Sequence, residues 1–268
     1  MFLTEFESNL SEMYLRDGFI IRESADLKAT ERIRSGMTGI IRHILKSAGN
    51  VPNGISDGDL LSNIHKYVTI DNLNQFRLQV IQGLNNLPNL RRDYFDMARS
   101  YLEALVGSEL AMQLRVNLSI QLPGDVSSLL PVHADTWSGD SPYEIVVWVP
   151  LVDCYRTKSM YILKPDKTQI LKNNFGSKSG KNSEELYQSI SKDVEFLEIK
   201  YGQVLLFDQG LPHGNRVNEE AQSRWSMNCR FKGVFTPYGD KKIGEFFEPI
   251  TLRAASKVGM SYKFPNLS

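Results

Sequence analysis

The sequence predicts a mainly β protein with α structure, a sandwich or jelly roll of strands buttressed by N-terminal helices. Three observations carry this. Up to about residue 108, apolar residues recur at helical spacing. From about residue 111 the period shortens to two, and the segments become short and rich in β-branched and aromatic residues. Most of these segments are separated by Gly, Pro and Asp turns with no helix between them, which argues against a βαβ sheet.

Taken in order, Gly18, Phe19, Ile20 and Ile21 read as a short strand. A long helix follows, with Ser24 or Asp26 as N-cap and Gly49 as its stop; Ile33, Met37, Ile40, Ile41, Ile44 and Leu45 form its apolar stripe. Two more stripes run through Leu73, Phe76, Val80, Leu84 and Leu87, and through Tyr94, Met97, Ala98, Tyr101 and Leu105. Strands are expected over 112–121, 143–151, 159–164, 194–200, 203–208 and 225–235. The polar stretch 165–193 is too long for an ordinary connection and reads as a mobile lid. Its Gly176-Ser-Lys-Ser-Gly-Lys-Asn182 piece is not a phosphate loop, because the glycine spacing is one residue short and Asn182 stands where Ser or Thr is needed. The expected organisation is a helical region over 1–108, a β core over 109–237 with the insertion 165–193, and a C-terminal extension over 238–268.

The 268 residues suffice for one large domain or two small ones. Lys and Arg together number 31, as do Asp and Glu, so no overall field gathers nucleic acid or anionic membrane. Cys154 and Cys229 have no C-x-x-C spacing and read as reduced, buried thiols. The first residues are acidic where a signal peptide is basic, and no run reaches the ~18 apolar residues of a membrane span. The expectation is a cytoplasmic protein, in which the Asn-x-Ser triplets at Asn9, Asn117 and Asn266 are fortuitous.

Of the four histidines, His43 and His65 fall in helical segments beside charged neighbours and read as ordinary helix residues. His133 and Asp135, separated by Ala134, project to the same side if that stretch is extended. His213 follows the glycine turn and apolar strand of Tyr201-Gly-Gln-Val-Leu-Leu-Phe-Asp208 and supplies a third candidate ligand. Two imidazoles and one carboxylate suit iron and leave three positions open, whereas a structural zinc site closes with a fourth ligand. After His213 comes Arg224-Trp225-Ser226, opening a strand on which Arg224, Ser226, Asn228 and Arg230 share one face. A guanidinium there can pair with a carboxylate through two hydrogen bonds, and the serine hydroxyl can add another.

The ordered set His133-x-Asp135, His213 and Arg224-x-Ser226 resembles the Fe(II)/2-oxoglutarate-dependent oxygenase superfamily, most of all its phytanoyl-CoA dioxygenase-like branch. The segments Val-His-Ala-Asp-Thr-Trp-Ser-Gly-Asp-Ser-Pro-Tyr-Glu (132–144) and Val-Val-Trp-Val-Pro-Leu-Val-Asp (146–153) look like oxygenases encoded in sporadic bacterial surface-carbohydrate clusters. The likeness spans roughly residues 111 to 235.

The resemblance implies a double-stranded β-helix with Fe(II) held by His133, Asp135 and His213. It implies 2-oxoglutarate chelating that iron with its distal carboxylate on Arg224, assisted by Ser226, and O2 as the second cosubstrate. Decarboxylation to succinate would drive hydrogen abstraction from a C–H bond, with hydroxylation as the usual outcome and desaturation as the alternative. Family position suggests that Asn117 or Gln121 contacts the iron-proximal end of 2-oxoglutarate, and that Trp148 lies near it. Lys158-Ser159-Met160 departs from the Asn-Gly that the family often carries. The implied substrate is a small polar metabolite, sugar or sugar-linked, approached under 165–193 with its lysines Lys167, Lys172, Lys178 and Lys181.

Two other readings stand beside this one. A jelly-roll sugar-nucleotide epimerase would use His and Asp for proton transfer without iron, but has no need of Arg224. A non-catalytic carbohydrate-binding module has no need of the triad. Oligomeric state is left open.

Overall fold

The computed structural model describes residues 2–50, 54–174, 176 and 182–265. Lys178, Lys181 and Asn266 lie outside the described residues, as does most of the glycine-lysine piece. Helix α1 (Glu5–Asp17) starts at a capping box in which Thr4 and Glu7 satisfy each other's backbone N–H groups. Strand β1 (Phe19–Glu23) follows, and then α2 (Leu27–Ser47), whose N-cap is Asp26, with Gly49 in the left-handed region just beyond its end. Short helices α3 (Asp57–Ser62), α5 (Leu90–Asp96) and α6 (Arg99–Leu105) flank the longer α4 (Ile70–Asn85). Among the described residues, no helix is long and apolar enough to cross a membrane.

Two antiparallel sheets follow. The larger contains β1, β2 (Leu110–Gln113), β3 (Asn117–Gln121), β4 (Glu144–Pro150), β7 (Gln203–Asp208), β9 (Arg224–Gly233) and β10 (Phe247–Pro249). Its order is β1-β7-β4-β9-β2-β10, with β3 also paired to β9. The smaller runs β6 (Val194–Phe196), β5 (Met160–Leu163), β8 (His213–Asn215).

Two sequence expectations are corrected. The strand expected over 112–121 is two strands: between Met112, which faces Phe231, and Asn117, which faces Asn228, the chain has two more residues than β9. The surplus bulges out, and Gln113 turns its side chain to accept from Arg230 N–H. The stretch 165–193, expected as a polar lid, carries α7 (Pro165–Asn173) and α8 (Ser183–Ile190). Their Leu171 and Ile190 pack with Val132, Tyr161 and Leu163 in a core under the smaller sheet. Asn182 is not a failed phosphate-loop residue but the N-cap of α8, in a capping box with Glu185. Lys167 is paired with Asp193 at 2.9 Å, and neither it nor Lys172 lines the cavity described below.

Candidate active site

Alternation along β9 assigns its two faces. Trp225, Met227, Cys229 and Phe231 are buried toward the helices, with Trp225 against Phe76 and Phe231 against Phe95. Arg224, Ser226, Asn228 and Arg230 point the other way, into a cavity of about 260 Å³ between the two sheets. Register completes the floor in rows. Ser119 of β3 faces Ser226; Asn117, Asn228 and Trp148 align across three strands; Arg230, Val146 and Phe207 form the next row.

The triad closes this cavity from the side of the smaller sheet. The backbones of His133 and His213 bond to each other in both directions, at 3.0 and 2.8 Å, which sets their rings 4.3 Å apart. Asp135 opens a short 3-10 turn and is tied to Gln209 through its own N–H. One ligand atom each from His133, Asp135 and His213 lies within 4.8 Å of the others.

Both imidazoles are set for coordination. His133 Nδ1 lies 2.8 Å from the carbonyl of Pro131, and His213 Nδ1 lies 2.8 Å from that of Leu211. A carbonyl only accepts, so each Nδ1 carries a proton and donates, which leaves each Nε2 as the ring atom available to a ligand. Burial, with the charge of His133 beside it, lowers His213 to about 4, so it is neutral at pH 7. For His133, burial is the largest influence and lowers the pKa, but the Asp135 carboxylate and the Pro131 carbonyl together outweigh it and raise it. Burial likewise pushes Asp135 up, yet His133, Arg230 and His213 hold it well below the usual carboxylate range. This donor set fits a divalent metal ion.

Arg224 is 4% exposed, and burial lowers its pKa to about 10. Its Nη2 donates to Ser119 Oγ at 2.8 Å, while its Nε and the buried Ser226 Oγ have no hydrogen-bond partner among the described residues. Among the described residues, no carboxylate forms an ion pair with this guanidinium. Trp148 and Asn117 line the cavity, with Asn117 donating to Asn228 Oδ1 at 3.0 Å. Gln121 does not: although it pairs across from Arg224, its Nε2 donates to the carbonyl of Arg216 at 2.6 Å. Of the two alternatives, Asn117 is therefore the one placed at the cavity. Sequence reasoning missed Ser119, although it shares the parity of Asn117 and Gln121, and missed the ion pair of Arg230 with Asp135 at 2.8 Å. His43, exposed on α2, and His65, bonded to Ser223 Oγ, stay away from the site.

No protein-family model matches the sequence, and no curated protein matches it. Solved structures do. The chain is similar to a non-heme monooxygenase, ThoJ, complexed with nickel (TM-score 0.51, 14% identity, 91% of this chain and 84% of that one). It is similar to SnoK, a non-heme alpha-ketoglutarate-dependent carbocyclase from nogalamycin biosynthesis (0.53, 14%, 93% and 97%). HygX from Streptomyces hygroscopicus, with nickel and 2-oxoglutarate bound, also matches (0.50, 13%, 88% and 89%). At such identities the likeness is one of fold.

Proposed function

We propose that this chain is an Fe(II)- and 2-oxoglutarate-dependent oxygenase, that its two-sheet sandwich is a double-stranded β-helix, and that it hydroxylates a small polar metabolite, sugar or sugar-linked. One observation carries the reading. A buried guanidinium that no carboxylate among the described residues pairs with shares a cavity with a two-histidine, one-carboxylate triad. A buried cation is costly unless an anion meets it, and the unused Nε of Arg224 and hydroxyl of Ser226 are suited to a carboxylate. A ligand with one carboxylate for Arg224 and a chelating 2-oxo acid for a metal satisfies both ends of the cavity. 2-Oxoglutarate is such a ligand.

In this reading His133, Asp135 and His213 hold Fe(II), and Arg224, Ser119 and Ser226 hold the distal carboxylate. Bound Fe(II), 2-oxoglutarate and O2 supply the oxidising power, giving succinate, CO2 and one hydroxylated C–H bond per turnover. The chain's own part is orientation: Trp148 walls the space between the two ends, and Phe207 packs edge-on against His213 at 5.0 Å. Asp135 fills the position that a halide would need as a ligand, which favours hydroxylation or desaturation over halogenation. The sugar-linked substrate rests on the resemblance of 132–144 and 146–153.

The test is anaerobic addition of Fe(II) and 2-oxoglutarate to the metal-free protein. A weak visible metal-to-ligand charge-transfer band is expected from the wild type and from neither His213→Ala nor Asp135→Ala. Absence of the band from the wild type, or its persistence in His213→Ala, overturns the reading.

A further inference from the structure

We infer that Arg230 is a positioning residue for the triad carboxylate, fixing Asp135 so that one oxygen alone is left for a metal ion. The inference rests on the proposed use of His133, Asp135 and His213 as ligands. The two oxygens of Asp135 have different surroundings. Oδ1 lies 3.4 Å from His133 Nε2, whereas Oδ2 is paired with Arg230 Nη2 at 2.8 Å. A carboxylate whose second oxygen is bonded to a guanidinium gives only the first to a cation. Two imidazoles and one oxygen leave three positions of an octahedron open; a carboxylate bound through both oxygens would leave two.

Arg230 is itself held. Its Nε donates to Gln209 Oε1 at 3.0 Å, and the Gln209 amide donates in turn to Glu144 and to the Ser141 carbonyl, each at 2.9 Å. On its far side the buried Asp140 places Oδ1 3.8 Å from Arg230 Nε and 2.6 Å from Lys241 Nζ. The guanidinium therefore sits between two carboxylates, one facing the triad and one a counter-charge. Without Asp140 it would pull harder on Asp135 and repel an incoming cation more strongly. Lys241 is brought there by a close backbone approach. Asp240 N–H donates to the Gly139 carbonyl at 3.1 Å, and a Cβ on Gly239 would lie 2.2 Å from that carbonyl oxygen. Residues beyond β9 thus reach the candidate metal ligand through Asp140 and Arg230.

Co(II) alone, titrated into metal-free protein, tests this by affinity and ligand-field spectrum. Wild type should bind one Co(II). Arg230→Met frees Oδ2, so the bands should shift as the carboxylate closes on the metal with both oxygens; Arg230→Lys, which keeps a cationic donor, should restore most of the wild-type spectrum. Asp140→Asn should weaken Co(II) binding roughly 10- to 100-fold, with thermal unfolding of the metal-free variant checking that it is folded. A wild-type spectrum from Arg230→Met, or wild-type affinity in Asp140→Asn, overturns the positioning role. Should Arg230→Met fail to fold, the Asp140→Asn titration decides alone. If the wild type binds no Co(II), the triad is not a metal site and both readings fall; if it binds Co(II) and the variants match it, only the role of Arg230 does.

Discussion

At the residue scale, Arg224 makes the sharpest prediction. A charge-assisted, two-point contact to a carboxylate in a desolvated pocket is worth on the order of 2–4 kcal/mol, so Arg224→Ala should weaken 2-oxoglutarate binding roughly 30- to 1000-fold, and Arg224→Lys should recover part of that. Anaerobic titration in the presence of Fe(II) measures it, and an Arg224→Ala protein with wild-type affinity would remove the residue from the site. A second prediction concerns protons. His133 is raised above its ordinary value, so metal-free protein gains stability from its protonation below about pH 6.5 and loses that gain as pH rises through the raised value. His213 has the opposite sign, being lowered to about 4, and its burial costs stability as pH falls from about 6.5 toward that value. A metal must displace the His133 proton, so affinity for a divalent ion should rise with pH through that range and then level off. Calorimetry in two buffers of different ionisation enthalpy should show proton release on binding at pH values below the raised His133 value; an affinity that stays constant as His133 titrates would contradict it. His133, Asp135, His213 and Arg224, singled out by residue type and order along the chain, line one cavity. Of the alternatives Asn117 and Gln121, the first lines the cavity, and nothing local in the sequence tells that the Gln121 amide turns aside to the Arg216 carbonyl.

At the element scale, β8 shows where periodicity runs out. Three residues are too few for a pattern, yet this strand carries His213 and is held by pairing to β5 and by the backbone bonds to His133. Its central Gly214 has a specific cause. A Cβ there would lie 2.6 Å from the hydroxyl of the buried Tyr161 and 2.7 Å from the Leu130 carbonyl oxygen, and that backbone atom cannot swing away. Gly214→Ala should therefore cost about 1–3 kcal/mol and weaken metal binding by displacing the adjacent imidazole. Gly259→Ala is the control: in the exposed α9 (Ala254–Ser261) an added Cβ meets nothing within 4 Å, and stability should stay the same or rise slightly. Equal unfolding midpoints for the two variants would show that β8 tolerates the side chain. Helices α7 and α8 were hidden for another reason. Their few apolar residues suffice only because Val132, Tyr161 and Leu163 complete the core, which no local window reveals.

At the scale of the whole molecule, the helices and the larger sheet share one core, which runs from Ile33, Met37 and Ile41 of α2 through Phe76 and Val80 of α4 to β4 and β9. The face of β9 that lines the cavity is therefore set from behind. Trp225 lies between Arg224 and Ser226, stands edge-on to Phe76 and donates its indole N–H to the Leu61 carbonyl at 2.9 Å. Tyr94, fully buried on α5, donates its hydroxyl at 2.9 Å to the carbonyl of Val147, which lies between the cavity residues Val146 and Trp148. The change of period near residue 110 located both halves in the sequence but could not say that they share this core, because the contacts join residues far apart in the chain. Such a core predicts cooperative unfolding, with helix loss by far-UV circular dichroism coinciding with tryptophan fluorescence, since Trp148 and Trp225 report the sheet. Removing one link should lower that single transition and not split it. Tyr94→Phe keeps the ring and leaves the Val147 carbonyl without its buried donor, at a cost of about 1–3 kcal/mol. Both probes should move down together in this variant, while affinity for Co(II) at a temperature well below the transition stays near wild type. If the helical signal is instead lost first, with the tryptophan signal and metal binding intact, the helices are an independent unit and do not set the floor of the cavity.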